Sequence, residues 1–143
     1  MDAITFEIPG DPIPQPRPRW ANGRTYTPTK NGIATYKAAI TLRATFEARQ
    51  RGWEVSKGPH EIDVEAVFVR PPSHLAKGGG LRSTAPAFPG QNCGDNDNIE
   101  KAVWDAITKS GMVWVDDTQV VANACRKRYG SRARTVITIR RPA

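Results

Sequence analysis

The chain has 143 residues, with 21 lysines and arginines against 14 aspartates and glutamates, for a formal net charge of +7. That excess favours polyanionic partners over acidic proteins or neutral solutes, and at this length one domain is the default, burying about 70% of the surface its unfolded chain exposes. No stretch approaches the roughly 20 apolar residues of a membrane span, and Asp2 and Glu7 stand where a secretory leader is basic and then apolar, so a cytoplasmic protein with no membrane partner is expected.

Residues 3–8 alternate Ile4, Phe6 and Ile8 with polar positions, which predicts a half-buried strand. Prolines 9, 12, 14, 16 and 18 then exclude helix, and the stretch of about 9–30 reads as an extended basic arm or loop. From about Thr29 to Gln50, Ile33, Tyr36, Ala39, Ile40 and Phe46 recur near helical spacing, with Gly52 placed to stop the helix. Residues 61–69 alternate Ile62, Val64, Ala66 and Phe68 with Asp63 and Glu65, a second strand. Residues 71–92 hold four glycines and four prolines and read as a long mobile loop, a kind that is commonly functional or disordered. Over 97–109, Ile99, Ala102, Val103, Ala106 and Ile107 make one apolar helix face, with Asp97 as N-cap, Glu100 as its capping-box partner and Gly111 past the end. Residues 118–128 and 133–140 read as a C-terminal hairpin around Tyr129-Gly130-Ser131. The expected fold is a single α+β domain over 1–143, in the order β-α-β-loop-α-β-β, with a small mixed or antiparallel sheet.

Charge is distributed unevenly along this order. Residues 15–51 sum to +7, residues 70–92 to +3, residues 93–123 to −4, and 124–143 to +7 with no acid at all. The chain therefore reads as two basic arms around an acidic centre, which would repel phosphate unless something reverses its sign. A bound divalent cation does so. Cys93 and Cys125 form no CxxC pair, and His60 and His74 have no ligand spacing, so ordinary reduced thiols and solvated imidazoles are expected.

The centre reads D-N-D-N-I-E-K-A-V-W-D-A-I-T-K-S-G-M-V-W-V-D-D-T-Q-V, from Asp95 to Val120. Asp95 and Asp97 flank a helix start, Lys101 lies one turn beyond Asp97 on the same face, and the chain returns through Gly111 to Asp116-Asp117. Oxygen ligands without His or Cys suit a hard cation, Mg²⁺ or Mn²⁺, whose shell is completed by water and substrate phosphate. The same residues also admit a purely structural reading: a cap, a surface ion pair and a turn. No calcium loop, P-loop, GxSxG or HExxH string fits the chain.

D-N-D-N-I-E-K followed by W-D-A-I-T-K-S-G-M-V-W-V-D-D-T-Q-V resembles the signature of the RusA endonucleases, Holliday junction resolvases frequent in bacteriophages and prophages. A strand ending near I-P-G, the P-R-P-R arm and G-R-T-Y-T-P are similar to phage members, so the resemblance covers nearly the whole chain, least well over 71–92. It implies that Asp95, Asp97 and Asp117 bind metal, that Lys101 is the essential lysine, and that Asn98 and Asp116 support them; spacing alone does not choose between Asp116 and Asp117. It further implies a homodimer that nicks a four-way junction symmetrically. Relatives often carry a basic residue or proline just before the first Asp, where this chain has Gly94, so a phosphate contact there must come from elsewhere, with Arg70, Lys77 and Arg82 as candidates.

Arg17, Arg19, Arg24, Lys30 and Lys37 are further candidates for DNA contacts, with Trp20 and Tyr26 available to stack on bases. Trp104 and Trp114 are expected in the core or a dimer interface. Two other readings stand beside resolution of junctions: a nuclease acting on flaps or replication intermediates, and a non-catalytic nucleic-acid-binding module.

Overall fold

Ile4, Phe6 and Ile8 in β1 (Ala3–Pro9), Ile62, Val64, Ala66 and Phe68 in β4 (His60–Phe68), and Ile137 and Ile139 in β6 (Arg134–Arg140) all point to one face of a sheet, because strand side chains alternate. The structure, a computed structural model, describes residues 2–26 and 32–142, so Lys30 and the Tyr26 side chain lie outside the described residues. The inner face is covered by α1 (Ile33–Gln50), through Ile33, Tyr36, Ile40, Ala44 and Ala48, and by α2 (Asn96–Ser110), through the five apolar residues that its sequence periodicity marks. Thr41 Oγ1 donates to the Ala106 carbonyl at 2.8 Å and ties the two helices together. Among the described residues no helix is long and apolar enough to cross a membrane.

The four-stranded sheet runs β1-β6-β4-β5, with β5 at Val120–Tyr129. β6 is antiparallel to both β1 and β4, whereas β4 and β5 are parallel, so the sheet is mixed. This corrects the expected C-terminal hairpin: β5 and β6 do not pair but lie on opposite sides of β4. A parallel pair needs a long crossover, and the segment from the end of β4 through α2 supplies it between β4 and β5. The chain then passes over the end of β4, where the Gly130 N–H donates to the Phe68 carbonyl at 2.9 Å, and β6 enters the centre.

The basic arm is also more structured than its prolines suggest. Pro12 is buried and Ile13 packs on the core, and beyond Pro18 a two-stranded hairpin forms from β2 (Arg19–Ala21) and β3 (Arg24–Tyr26). Its turn is Asn22-Gly23, with φ of 52° and 76°, the left-handed pair that such hairpins favour. The 71–92 loop is likewise not structureless. It contains short 3₁₀ turns at Pro72–His74 and Gln91–Cys93 and a bridge between Leu75 and Leu81.

The C-terminal basic stretch is no arm. On the outer sheet face Arg128 pairs with Glu65 at 3.1 Å, Arg134 with Glu7 at 3.0 Å, and Arg140 with Asp63 at 2.8 Å. Arg141 lies over the Trp53 ring at 4.1 Å and donates to the Glu54 carbonyl. Trp114 is fully buried core and Trp104 lies at its edge. His60 is not solvated as expected: it is fully buried between Trp53 and Trp114, with Nδ1 2.9 Å from the Gly58 carbonyl oxygen. Both cysteines are free, and burial, helped by the Glu100 charge, pushes the Cys125 thiol up to about 12, which suits an inert thiol.

Candidate active site at the mouth of helix α2

Helix α2 starts at Asn96, so Asp95 takes the N-cap position expected of Asp97. Its backbone is extended, as a cap requires, yet its carboxylate makes no bond to the first-turn amides. It turns to the arm instead, where Arg17 Nη2 donates to Asp95 Oδ2 at 2.8 Å. Asp97 lies in the first turn and accepts the Asn98 N–H at 3.0 Å. Asn98 in turn offers its carbonyl to the Gln15 N–H at 2.8 Å, holding the arm to the helix. Glu100 is not a capping partner: it accepts a bond from Asn123 Nδ2 at 2.6 Å. Burial, and then the charge of Asp97, raise its carboxyl above the usual range, against the pull of the Asn123 bond.

Gly94 precedes this mouth with φ +96°, and a Cβ there would stand 2.6 Å from Pro14 Cγ. Only glycine allows the arm to pass this close. Lys127 Nζ donates to the Gly94 carbonyl at 2.9 Å, a cation at the mouth that reading the C-terminal stretch as a basic arm missed. Its alternation with Cys125 and Tyr129, against Val64, Ala66 and Phe68 of β4, is the signal that places it on the inner face.

Farther along α2, Lys101 pairs with Asp105 at 2.9 Å rather than with Asp97, and Asp105 also faces Lys37 Nζ at 3.6 Å. Lys37 donates to Gln15 Oε1 at 3.0 Å, so it braces the arm as well. Asp116 caps the short 3₁₀ turn at Asp117–Gln119, its carboxylate accepting the Gln119 N–H. Asp117 is half-buried. Burial and the adjacent Asp116 hold its carboxyl above the ordinary aspartate range, with Lys101 opposing and Asp105 adding. Gln119, a residue with no role assigned from sequence, accepts the Val115 and Asp116 amides and donates to the Ser56 and Gly58 carbonyls.

The structure thus gathers Asp95 and Asp97 with Arg17 and Lys127 at the helix mouth, and Lys101, Asp105 and Asp117 about two turns on. Among the described residues no three carboxylate, histidine or cysteine side chains converge on one metal position. The carboxylate donors suit a hard divalent cation, but Asp117 does not join Asp95 and Asp97 in this arrangement. Of the other candidate DNA contacts, Arg19, Arg24 and Lys77 are exposed. Arg70 stacks over Tyr129 at 4.3 Å and bonds the Pro86 carbonyl, and Arg82 bonds the Leu75 carbonyl, so both hold the 71–92 loop in place.

Fold and site together define a small α+β protein that sets a row of carboxylates beside an exposed basic arm. The sequence profile described as endodeoxyribonuclease RusA matches residues 9–140, and the chain belongs to that family. Its members cut DNA internally and are generally metal-dependent. The chain is also similar to the uncharacterized protein YqaN of Bacillus subtilis (strain 168), with 29% identity over 150 residues that span 98% of this chain and 97% of that one.

Proposed function

We propose that this chain is a Mg²⁺-dependent endodeoxyribonuclease, with Mn²⁺ able to substitute, that resolves four-way Holliday junctions by paired symmetric nicks in DNA recombination and repair, in the cytoplasm of a bacterial or phage-infected cell. The observation that carries the reading is the meeting of the arm with the α2 mouth: Arg17 reaches Asp95 at 2.8 Å, and the Arg19, Trp20 and Arg24 hairpin stands exposed immediately beyond. A polyanion drawn to the arm arrives at the carboxylates.

Asp95, Asp97 and Asp117 are the residues that would hold the cation, whose chemistry is to activate water and offset charge on the phosphate. Lys101 contacts the scissile phosphate after leaving Asp105, and Asn98 holds the arm in register. A homodimer suits the substrate, because a two-fold protein presents two sites to a two-fold junction.

The test compares cleavage of a synthetic four-way junction, a flap and a linear duplex at matched salt in Mg²⁺. The junction should be cut fastest, and Asp97→Asn should abolish cutting while binding is kept. Equal rates on the three substrates would sink junction selectivity, and cleavage surviving Asp97→Asn would sink the site.

A further inference from the structure

Asp95 has the residue type and backbone of a helix cap but does not cap. Its carboxylate is taken by Arg17, which follows an anchored stretch of the arm and precedes an exposed one. Upstream the arm is anchored by buried Pro12, by Ile13 on the core, and by the bond from the Gln15 N–H to Asn98. Downstream the hairpin β2–β3 is exposed. Arg17 is therefore the pivot between the docked and the free halves of the arm. The ion pair itself is open to water, with the two side chains 68% and 55% exposed. A pair this exposed is weak, worth a factor of about two to five in an equilibrium. A DNA phosphate competes for it easily, because a guanidinium binds phosphate through the same fork that it offers a carboxylate.

We infer that Arg17 is an exchangeable counter-ion, a positioning residue that neutralises Asp95 in the free protein and moves to a DNA phosphate on binding, leaving Asp95 open beside the substrate. This rests on the nuclease reading for its purpose but not for its test. The exchange links arm engagement to the carboxylate site: in the absence of DNA Asp95 is masked, and it is unmasked only where a phosphate has arrived to take its partner. It also answers the gap left by Gly94, since the cation at the first aspartate comes from the arm and not from the preceding residue.

The test is a binding cycle without metal. Wild type, Arg17→Ala, Asp95→Asn and the double variant are titrated with a fluorescent four-way junction in EDTA, from about 50 to 200 mM salt, where counter-ion release dominates. Both residues are exposed, so folding is not at stake, and matching circular dichroism spectra check this. Arg17→Ala should reduce the slope of log K against log salt by about 0.9, one phosphate contact. Asp95→Asn should tighten binding about two- to fivefold in the wild-type background, and by distinctly less when Arg17 is already alanine. A slope unchanged by Arg17→Ala overturns the inference, because Arg17 then stays on Asp95 in the complex. Equal tightening by Asp95→Asn in both backgrounds overturns it as well, since Asp95 then acts on DNA independently of Arg17. If the wild type cuts no branched DNA, the nuclease reading falls while these slopes still decide the exchange.

Discussion

Gln119 is the joint on which the Asp116-Asp117 turn hangs, and its truncation can be sized from its bonds. Nε2 donates to the Ser56 and Gly58 carbonyls at 2.7 and 2.8 Å, and Oε1 accepts the Val115 and Asp116 amides at 2.8 and 2.9 Å. Gln119→Ala removes all four. Each bond contributes about 0.5–1.5 kcal/mol net, and water reaches the exposed Val115 and Asp116 side, so the low end applies and the loss is about 2 kcal/mol. For a domain of this size that is a fall in Tm of about 4–8 °C. Gln119→Glu sharpens the prediction. It keeps the acceptors for the two amides but turns an oxygen toward two carbonyls, so at neutral pH it should destabilise at least as much as alanine. Both variants should also lose junction cleavage, since Asp117 begins the turn that Gln119 closes. Thermal melts followed by tryptophan fluorescence read the first effect directly, with buried Trp114 as reporter. A Tm within about 1 °C of wild type for both variants would refute the joint.

Gly94→Ala puts a Cβ into Pro14 and an L residue into a backbone region that only glycine occupies readily, at a cost of about 1–3 kcal/mol; the arm should lift, and faster tryptic cleavage after Arg19 and Arg24 with a lower urea midpoint would show it, whereas unchanged values in both would exclude the contact. Burial lowers the pKa of His60, so between its folded value and the ordinary unfolded value of about 6.5 the unfolded chain binds more protons. Stability is therefore complete above that value and declines as pH falls below it; the decline in urea midpoint should be smaller in His60→Phe, and identical pH slopes would contradict the assignment. Trp20, 71% exposed in the hairpin, should lose about tenfold in junction affinity on replacement by alanine with no change in Tm; unaltered affinity would remove the hairpin from the DNA interface.

Local patterns in the chain were readable and long-range pairings were not. The alternation of Ile4, Phe6 and Ile8, or of Ile62, Val64 and Ala66, marks strands because each side chain's burial is decided by its own position in the pleat. The pairing of β5 with β4 is decided by the α2 crossover, and nothing within 118–140 records it, so the short turn at Gly130 reads as a hairpin. Asn22-Gly23 was a legible hairpin signal that the surrounding prolines obscured. At the site, residue types identified the chemistry, but partners depended on the fold. Glu100 looks like a cap until Asn123 of β5 lies beside it, and Lys101 looks like the partner of Asp97, whereas in the fold it bonds Asp105, one turn farther on, at 2.9 Å.

The charge pattern changes meaning in the same way. Along the chain the last 20 residues are as basic as the arm, but in the fold their arginines meet Glu7, Asp63 and Glu65 across the outer sheet face. Such exposed pairs add little stability individually. Their consequence is directional: they cancel charge on the side away from α2, whereas Arg19 and Arg24 of the arm stand exposed. At the mouth Asp95 is paired with Arg17, and farther along α2 Asp105 is paired with Lys101 and Lys37, while Asp97 stands exposed. A polyanion is thus oriented arm first toward a site whose negative charge is already offset in part.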